Sequence, residues 1–252
     1  MALLEVKNLS FSYSKKSVLE NVSFTIEPSS VTVILGANGA GKSTLIKILA
    51  GIYKYQGDIF YQDVNVKEIK KKTYASYVSY VPQSPSFVSS TVVDAILLGR
   101  LPLFTAPSKK DYQRVYEVIE ELGLEDFAMK DVTKLSGGEQ QKVALARAFV
   151  GESTITLLDE PTANLDLKNC FETIKTLKKS AANGKSIVLS MHDVNDALDV
   201  GDRFIVLKDN GVLAEGDVSV LTAELLSEVY GLDFHKVEHD GKIHFHFKED
   251  QK

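Results

Sequence analysis

The sequence predicts an α/β fold with a mostly parallel sheet, an antiparallel β subdomain and an inserted α-helical subdomain. Strand-like and helix-like segments alternate over much of the chain, which is typical of a parallel sheet with helices on both faces. The first two β-rich segments alternate apolar and polar residues, as antiparallel strands do. The stretch 84–150 is mainly helical in pattern and interrupts the alternation, so we expect it to form the subdomain.

The first half of the chain begins with the alternating segments LLEVKNLSFSY and VLENVSFTIE. The next segment, VTVIL, is continuously apolar, as a strand buried on both faces should be. A helix is expected from Lys42 to about Leu49, and the segments GDIFYQ and YVSYVPQ are predicted to be further strands.

The second half begins with three helical segments: TVVDAILLG, SKKDYQRVYEVIEELGL and EQQKVALARAF. The strands TITLLDE, SIVLSMH and RFIVLKDNGVLAEG then alternate with helices at about 167–182 and 193–199. The DNG before Val212 predicts a hairpin turn. We expect one domain over 1–252: a core with its antiparallel subdomain at 1–83 and 151–216, the helical subdomain at 84–150, and a C-terminal extension at 217–252.

Composition excludes several classes of protein. The 252 residues are 44% hydrophobic, which is enough for one large core. A net charge of −5 argues against nucleic acid as a partner. The one cysteine, Cys170, permits no disulfide framework and favours a reducing compartment. Neither a signal peptide nor a membrane span is evident, so we expect a cytoplasmic protein that reaches a membrane only through a partner.

A glycine-rich loop, GANGAGKS, matches the pattern G-x-x-x-x-G-K-[ST] between a predicted strand and a predicted helix. That context distinguishes it from a chance turn. The backbone N–H groups of such a loop surround a β-phosphate, Lys42 reaches the β- and γ-phosphates, and Ser43 ligates Mg²⁺. The nucleotide-binding residues expected from this loop are Gly36, Ala37, Asn38, Gly39, Ala40, Gly41, Lys42, Ser43 and Thr44.

Two carboxylates end the apolar strand TITLLDE, where parallel strands present ligands. Asp159 is predicted to hold Mg²⁺, and Glu160 is suited to polarise the attacking water. His192 ends the segment SIVLSM, the next predicted strand, so it is a candidate donor to a γ-phosphate. A satisfied structural histidine is the alternative. Gln83 and Tyr13, taken alone, could be an ordinary loop glutamine and an exposed strand residue.

The segment LSGGEQQ places two glycines directly before a helix-forming run. Such a pair marks a helix start that something approaches closely, and the bare N–H groups of a helix start favour an anion. The chain therefore carries a second candidate phosphate site about a hundred residues after the first.

Taken together and in this order, the motifs resemble those of the ATP-binding cassette ATPases, over nearly the whole chain. The resemblance implies a P-loop NTPase (RecA-like) core, ATP as the bound nucleotide with Mg²⁺, and ATP hydrolysis. It implies that Tyr13 stacks on adenine, that Gln83 contacts Mg²⁺ and the catalytic centre, and that Glu160 and His192 are catalytic. Ala37 stands where many relatives have proline, which matters little because the loop acts through its backbone.

The same resemblance explains the second phosphate site. Cassettes of this family dimerise head to tail, and the signature of one chain faces the phosphate loop of the other. The residues implied to receive the γ-phosphate of the partner's ATP are Ser136, Gly137 and Gly138 in LSGGE. Glu139 of the same segment and Asp166 in the loop ANLD are also implied to bind nucleotide.

Three kinds of cassette remain as alternatives: a transporter motor, a soluble factor for iron–sulfur cluster assembly, and a DNA- or ribosome-acting cassette. The third usually has a long insertion or two fused cassettes, which this chain lacks. The segments TVVDAILLGR and LTAELLSEVYGLDF resemble the ATPases of importers for iron–siderophore, haem and cobalamin complexes. That resemblance implies a homodimer bound to membrane permease subunits at the cytoplasmic face of the membrane, and indirectly to a substrate-binding protein.

Four of the five histidines lie near the C-terminus: His235, His239, His244 and His246. Strand alternation in KIHFHFK places His244 and His246 on one face and Ile243, Phe245 and Phe247 on the other. The pattern favours a half-buried strand with polar residues outside, and metal binding is the alternative.

Overall fold

The computed structural model of the protein describes residues 2–103, 105–163, 165–239 and 241–248. Its strands are β1 (Leu4–Tyr13), β2 (Lys16–Ile26), β3 (Val31–Leu35), β4 (Gln56–Tyr61), β5 (Val64–Asn65), β6 (Val78–Val81), β7 (Ile155–Asp159), β8 (Ser186–Ser190), β9 (Arg203–Lys208), β10 (Gly211–Gly216), β11 (Asp233–His239) and β12 (Lys242–Lys248). Its α-helices are α1 (Lys42–Leu49), α2 (Lys71–Tyr77), α3 (Val92–Leu97), α4 (Lys109–Glu121), α5 (Gly137–Phe149), α6 (Leu167–Ala182), α7 (Val194–Val200) and α8 (Ala223–Tyr230).

The central sheet has six strands in the order β10-β9-β3-β8-β7-β6. The five strands β9, β3, β8, β7 and β6 are parallel to their neighbours in the sheet. The edge strand β10 pairs with β9 in an antiparallel hairpin. Every residue of β3, β7 and β8 is buried, as expected of strands covered on both faces. This order brings the carboxyl ends of β3, β8 and β7 side by side, where parallel sheets bind their ligands.

A second, antiparallel sheet has the order β2-β1-β4-β5. The predicted antiparallel pairing of the first two strands is confirmed, from Leu4 opposite Ile26 to Tyr13 opposite Lys16. Helix α1 lies between the two sheets, and its buried residues Leu45 and Ile46 belong to the same apolar cluster as residues of both. The packing fixes α1, and with it the glycine-rich loop that precedes it.

The predicted helical block contains α3, α4 and α5, packed on one another. Arg100, at the end of the turn after α3, is buried: its Nε lies 2.7 Å from Oδ1 of Asp111, and its Nη1 donates to the carbonyl of Val150. A Cβ on Gly99 would lie 1.9 Å from the carbonyl oxygen of Arg147, so glycine is needed where α3 approaches α5. The sequence did not indicate this internal ion pair.

The C-terminal extension forms α8 and the two-stranded sheet β11-β12. Asn195 of α7 forms two hydrogen bonds with the backbone of Phe245, accepting from its N–H at 2.8 Å and donating to its carbonyl at 3.0 Å. The predicted alternation in β12 is confirmed for Phe245, which is buried, and for the partly buried Ile243. Phe247 is about half exposed, and its ring packs against Phe234 instead.

Candidate functional site

The glycine-rich loop spans the six residues between β3 and α1. Gly36 and Gly41 have φ values of 148° and 99°, which disfavour other residues. A Cβ at Gly36 would lie 2.6 Å from the carbonyl oxygen of Leu207, and one at Gly41 would lie 2.8 Å from Leu19. Both backbone geometry and space therefore require the glycines that the motif supplies.

Lys42, the first residue of α1, is buried beneath this loop. Its ammonium group donates to the carbonyls of Gly36 at 2.7 Å and Ala37 at 3.2 Å. Burial lowers the pKa of Lys42, while the carboxylates of Glu160 and Asp159 act in the opposite direction. A phosphate oxygen is a stronger acceptor than a neutral carbonyl, so this side chain is suited to bind the phosphates.

Asp159, at the carboxyl end of β7, is buried and receives two hydrogen bonds on the same oxygen. The hydroxyls of Ser43 and Ser190 both donate to its Oδ1, each at 2.8 Å. Ser43 follows the loop lysine, and Ser190 is the last residue of β8. The structure thus brings together two of the three predicted magnesium ligands, Ser43 and Asp159, and it adds Ser190 as a second donor to Asp159. The third predicted ligand, Gln83, contacts Glu160 instead.

Glu160 follows Asp159 with a φ of 49°, a left-handed conformation that is uncommon outside glycine. Its backbone N–H donates to the Ser190 hydroxyl at 3.0 Å. The Gln83 amide donates to Oε2 of Glu160 at 2.5 Å, and Nε2 of His192 lies 2.5 Å from Oε1. All three predicted catalytic residues therefore meet at one carboxylate.

His192 lies two residues beyond the end of β8, since that strand stops at Ser190 and does not include the histidine as the sequence suggested. Its side chain is 47% exposed, whereas that of Glu160 is 9% exposed. The ring thus stands between the buried carboxylate and solvent. Its contact with Glu160 fits both interpretations of His192, the catalytic donor and the satisfied structural histidine, and the catalytic role stays a prediction.

A cleft of about 330 Å³ opens over the glycine-rich loop. Its lining is Tyr13, Lys16, Ser17, Val18, Asn38, Gly39, Gly41, Lys42, Ser43, Thr44, Glu160, His192 and Asn210. The sequence did not single out Lys16, Ser17, Val18 or Asn210, because only the fold brings these residues to the loop.

Tyr13 lies at the edge of the cleft and is 45% exposed. Its ring packs edge-on against Phe11 and Tyr53, and its hydroxyl lies 3.4 Å from that of Thr44. A planar ring is thus held beside the phosphate loop and keeps contact with solvent; its stacking on adenine stays a prediction.

The signature segment forms the start of α5, as predicted. Ser136 is the N-cap: its hydroxyl donates to Glu139, and its backbone N–H donates to the same carboxylate. These hydrogen bonds with Ser136 lower the pKa of Glu139. The N–H groups of Gly137 and Gly138 have no acceptor within the described part of the chain. They are therefore available to an anion.

Neither the signature nor Asp166 lines the cleft over the glycine-rich loop. Asp166 is the N-cap of α6 and accepts from the N–H of Asn169 at 2.7 Å. Asn164 of the same predicted loop lies outside the described residues. Gln141 of α5, which the sequence did not single out, is buried and donates to the carbonyl of Pro161, next to Glu160. Each chain thus carries two separate candidate phosphate sites.

Comparison with known proteins decides the family. The family model described as ABC transporter matches residues 19–163, more than half of the chain. The chain belongs to the ABC transporter ATPases. The ABC ATPases hydrolyse ATP, and their cassettes work as dimers with transmembrane permease partners. Among the described residues, no helix combines the length and the apolar character needed to cross a bilayer.

Two relatives match this ABC ATPase over most of their length. An uncharacterised ABC transporter ATP-binding protein of Methanocaldococcus jannaschii is 43% identical over 237 residues, covering 92% of this chain and 93% of the relative. A Helicobacter pylori protein named as an iron chelatin transport ATP-binding protein is 35% identical over 251 residues, covering 96% and 98%.

Two solved structures share the fold of this ABC ATPase. An inward-facing transporter described as metal-chelate type has a TM-score of 0.84 at 28% identity, with 98% of this chain and 97% of that chain covered. A bacterial ABC transporter cassette solved as a dimer has a TM-score of 0.77 at 29% identity, with 85% and 98% covered. The predicted P-loop NTPase fold is confirmed.

Proposed function

We propose that this chain is the ATP-hydrolysing subunit of an ABC importer for iron–siderophore, haem or cobalamin-type metal chelates. The observation that carries the catalytic part is the convergence of Gln83 and His192 on the carboxylate of Glu160, at the edge of the phosphate-loop cleft. The import part is supported by the likeness to the Helicobacter pylori protein and to the metal-chelate type transporter.

The residues around Asp159 fit a magnesium ion. Ser43 and Asp159 present hard oxygen atoms 2.8 Å apart at the end of the phosphate loop, and Mg²⁺ prefers oxygen ligands, including those of a nucleotide phosphate. We assign Ser43 and Asp159 to hold the ion, with Gln83 beside them. When bound, Mg²⁺ neutralises charge on the β- and γ-phosphates.

Hydrolysis then depends on groups of this chain. The N–H groups of residues 36–44 and the Lys42 ammonium hold the phosphates, and Tyr13 stacks on the adenine. Glu160 takes a proton from the attacking water, a role worth roughly 10²–10⁴ in rate. Its carboxylate retains acceptor capacity for that water after its contacts with Gln83 and His192. His192, at the exposed side, donates to the charge that develops on the γ-phosphate.

A second copy of the chain completes each site. The amides of Gly137 and Gly138 are available but lie outside the cleft of their own chain. A head-to-tail homodimer would place them, with Ser136, Glu139 and the loop of Asp166, over the partner's ATP. The Ser136 hydroxyl would have to leave Glu139 in order to donate to a phosphate, because it has a single proton.

Contact with the permease is assigned to the surface beside Gln83 and the helical subdomain 84–150, with the chain at the cytoplasmic face of the membrane. Val88 and Leu101 are exposed apolar residues there, and such residues suit a partner helix. Arg100 is excluded from this role because it is buried in the subdomain. A substrate-binding protein would act on this chain only through the permease.

The test is stimulation of ATP hydrolysis after reconstitution with a permease, sought first among the genes that neighbour this one. If the chain drives an importer, a substrate-binding protein loaded with a ferric siderophore, haem or a corrinoid should raise ATPase activity in proteoliposomes. The unloaded binding protein should not. The alternative, a soluble ATPase of iron–sulfur cluster assembly, predicts no association with a permease and binding to a cluster scaffold instead. Stimulation by bare manganese or iron ions alone would overturn the chelate assignment.

A further inference from the structure

The C-terminal hairpin places three histidines side by side. His235 of β11 lies directly opposite His246 of β12, and His244 lies opposite Val237, the next position on the same face. Residues opposite each other in an antiparallel pair share a face, with Cβ atoms about 4.5–5.5 Å apart. The sequence indicated only the pair His244 and His246; the strand register adds His235.

The other face of the hairpin is attached to the protein. Phe234 and Phe245 are buried in the main apolar cluster, and Asn195 of α7 binds the backbone of Phe245. The histidine face therefore points away from α7, and His235 and His246 are exposed. Nothing in the catalytic site described above uses these side chains.

We propose that His235, His244 and His246 form a binding site for a late first-row divalent cation such as Ni²⁺, Cu²⁺ or Zn²⁺. Imidazole nitrogen is a preferred ligand of these ions, whereas Mg²⁺ and Ca²⁺ prefer oxygen. A histidine pair two residues apart on one strand, with a third histidine across from it, can direct three nitrogens to one point once the rings rotate. Water completes the coordination.

Without an ion, the three histidine rings do not yet point to a common centre. Among the described residues, no three histidine, cysteine or carboxylate side chains already surround a common point, so the rings must rotate to converge. His235 and His246 are exposed and can rotate, whereas His244 is half-buried. Nε2 of His235 lies 3.1 Å from the carboxylate of Asp233, and a carboxylate bound to one ring nitrogen orients the other for a metal.

This site is independent of ATP hydrolysis and goes beyond the proposed function. It lies on the extension, and its ligands are nitrogens, so it should be selective for different ions from those of the Ser43 and Asp159 site. An ion held by both strands would also stabilise the folded hairpin, because it binds the folded form preferentially.

The test is titration of the full-length, chelator-treated protein with NiCl₂, CuCl₂ and MgCl₂, followed by calorimetry, without nucleotide. We expect one Ni²⁺ or Cu²⁺ per chain, tighter binding of Cu²⁺ than of Ni²⁺, and no Mg²⁺ bound at the hairpin. Binding should release protons or compete with them in acid, because a protonated imidazole cannot ligate a metal. Melting temperature should rise with Ni²⁺ concentration.

The single variants His235→Ala and His246→Ala should each weaken Ni²⁺ binding by ~10-fold or more, because loss of a residue that only orients a ligand already costs about that much. The double variant should not bind Ni²⁺. Both positions are exposed, so the protein should fold and hydrolyse ATP normally. Two controls should bind Ni²⁺ as the parent does: Lys236→Ala, on the opposite face of β11, and His192→Ala, which removes the histidine of the catalytic site. A Ni²⁺ dissociation constant above about 1 mM, or unchanged binding in the double variant, would overturn the proposal.

Discussion

The hydroxyl of Ser190 joins Asp159, the last residue of β7, to Glu160, the residue that follows it. It donates to Oδ1 of Asp159 at 2.8 Å and accepts from the backbone N–H of Glu160 at 3.0 Å. Ser190 is fully buried. A single hydroxyl therefore fixes both the carboxylate assigned to Mg²⁺ and the left-handed backbone from which the assigned general base projects.

Ser190→Ala should lower kcat by roughly 10- to 100-fold with little change in the KM for ATP, because a misplacement of about 1 Å at a reacting group can cost a factor of ~10². The apparent affinity for Mg²⁺ should fall as well, since Asp159 loses one of its two donors. Steady-state ATPase assays over a range of ATP and Mg²⁺ concentrations measure each effect.

Ser186→Ala is the matched control, on the same strand and equally buried. Its hydroxyl accepts from the N–H of Ser29, at the opposite end of β8. The two variants should lose similar stability, by about 1–3 kcal/mol for an orphaned buried partner. Only Ser190→Ala should lose catalytic rate. Equal kcat losses in both variants would show that the effect is structural.

This serine shows where prediction from the sequence stops. The residues of the phosphate loop, Asp159 and Glu160 could be predicted because their spacing is local and each follows a recognisable strand. Ser190 could not, because its role depends on β8 lying next to β7, which only the strand order establishes. Lys16 and Asn210 could not be predicted for the same reason, because they reach the cleft from separate elements.

The fold could be predicted to a similar extent. Helices α1 and α6 have the predicted bounds. Helix α6 buries Thr173, Leu177 and Ala181 at helical spacing, and α1 follows a loop motif that opens a helix. Helix α2 was not predicted, because only Tyr74 of its seven residues is buried and the sequence therefore shows no periodic apolar pattern. The short strand β5 and the hairpin register depend on pairing partners elsewhere in the chain, so local sequence does not specify them.

Glu160→Gln should leave ATP binding intact and slow hydrolysis by about 10² or more, because glutamine cannot accept the proton of the attacking water. ATP should then hold the variant as a stable dimer. Size-exclusion chromatography with ATP, and with ADP as the control, measures this. Near-normal turnover in Glu160→Gln would remove Glu160 from the role of general base.

Acid should weaken the helical subdomain through Asp111. Hydrogen bonds from Ser108 and Arg100 lower the pKa of Asp111 to about 2. A carboxyl group whose pKa is lower in the folded than in the unfolded protein stabilises the fold at pH values above its unfolded pKa of about 4. This stabilisation is lost as the pH falls to the folded pKa of about 2. Asp111→Asn should therefore melt well below the parent at neutral pH, and the difference should shrink below pH ~4. A constant difference across pH would contradict this.

The composite-site proposal can be tested by mixing two inactive variants. Lys42→Ala damages the phosphate loop, because the contact between its ammonium and the phosphates is lost. Ser136→Arg places a long side chain at the start of α5. Each homodimer has two damaged sites. In a mixed head-to-tail dimer both lesions fall in one site, and the other site pairs an intact loop with an intact signature. Mixing should therefore restore ATP occlusion at one site per mixed dimer.

The control joins both changes in one chain and mixes it with unmodified protein. In a head-to-tail mixed dimer each site then receives one lesion, so the mixed species should occlude no ATP. If instead the phosphate loop and signature of one chain shared a site, the results would reverse: complementary variants would restore nothing, and the unmodified chain would keep its own site intact. Trapped radiolabelled ATP is the better measure, because strict cooperativity between sites could hide a restored site from an ATPase assay. The positions of Gly137 and Gly138 outside the cleft of their own chain favour the first outcome.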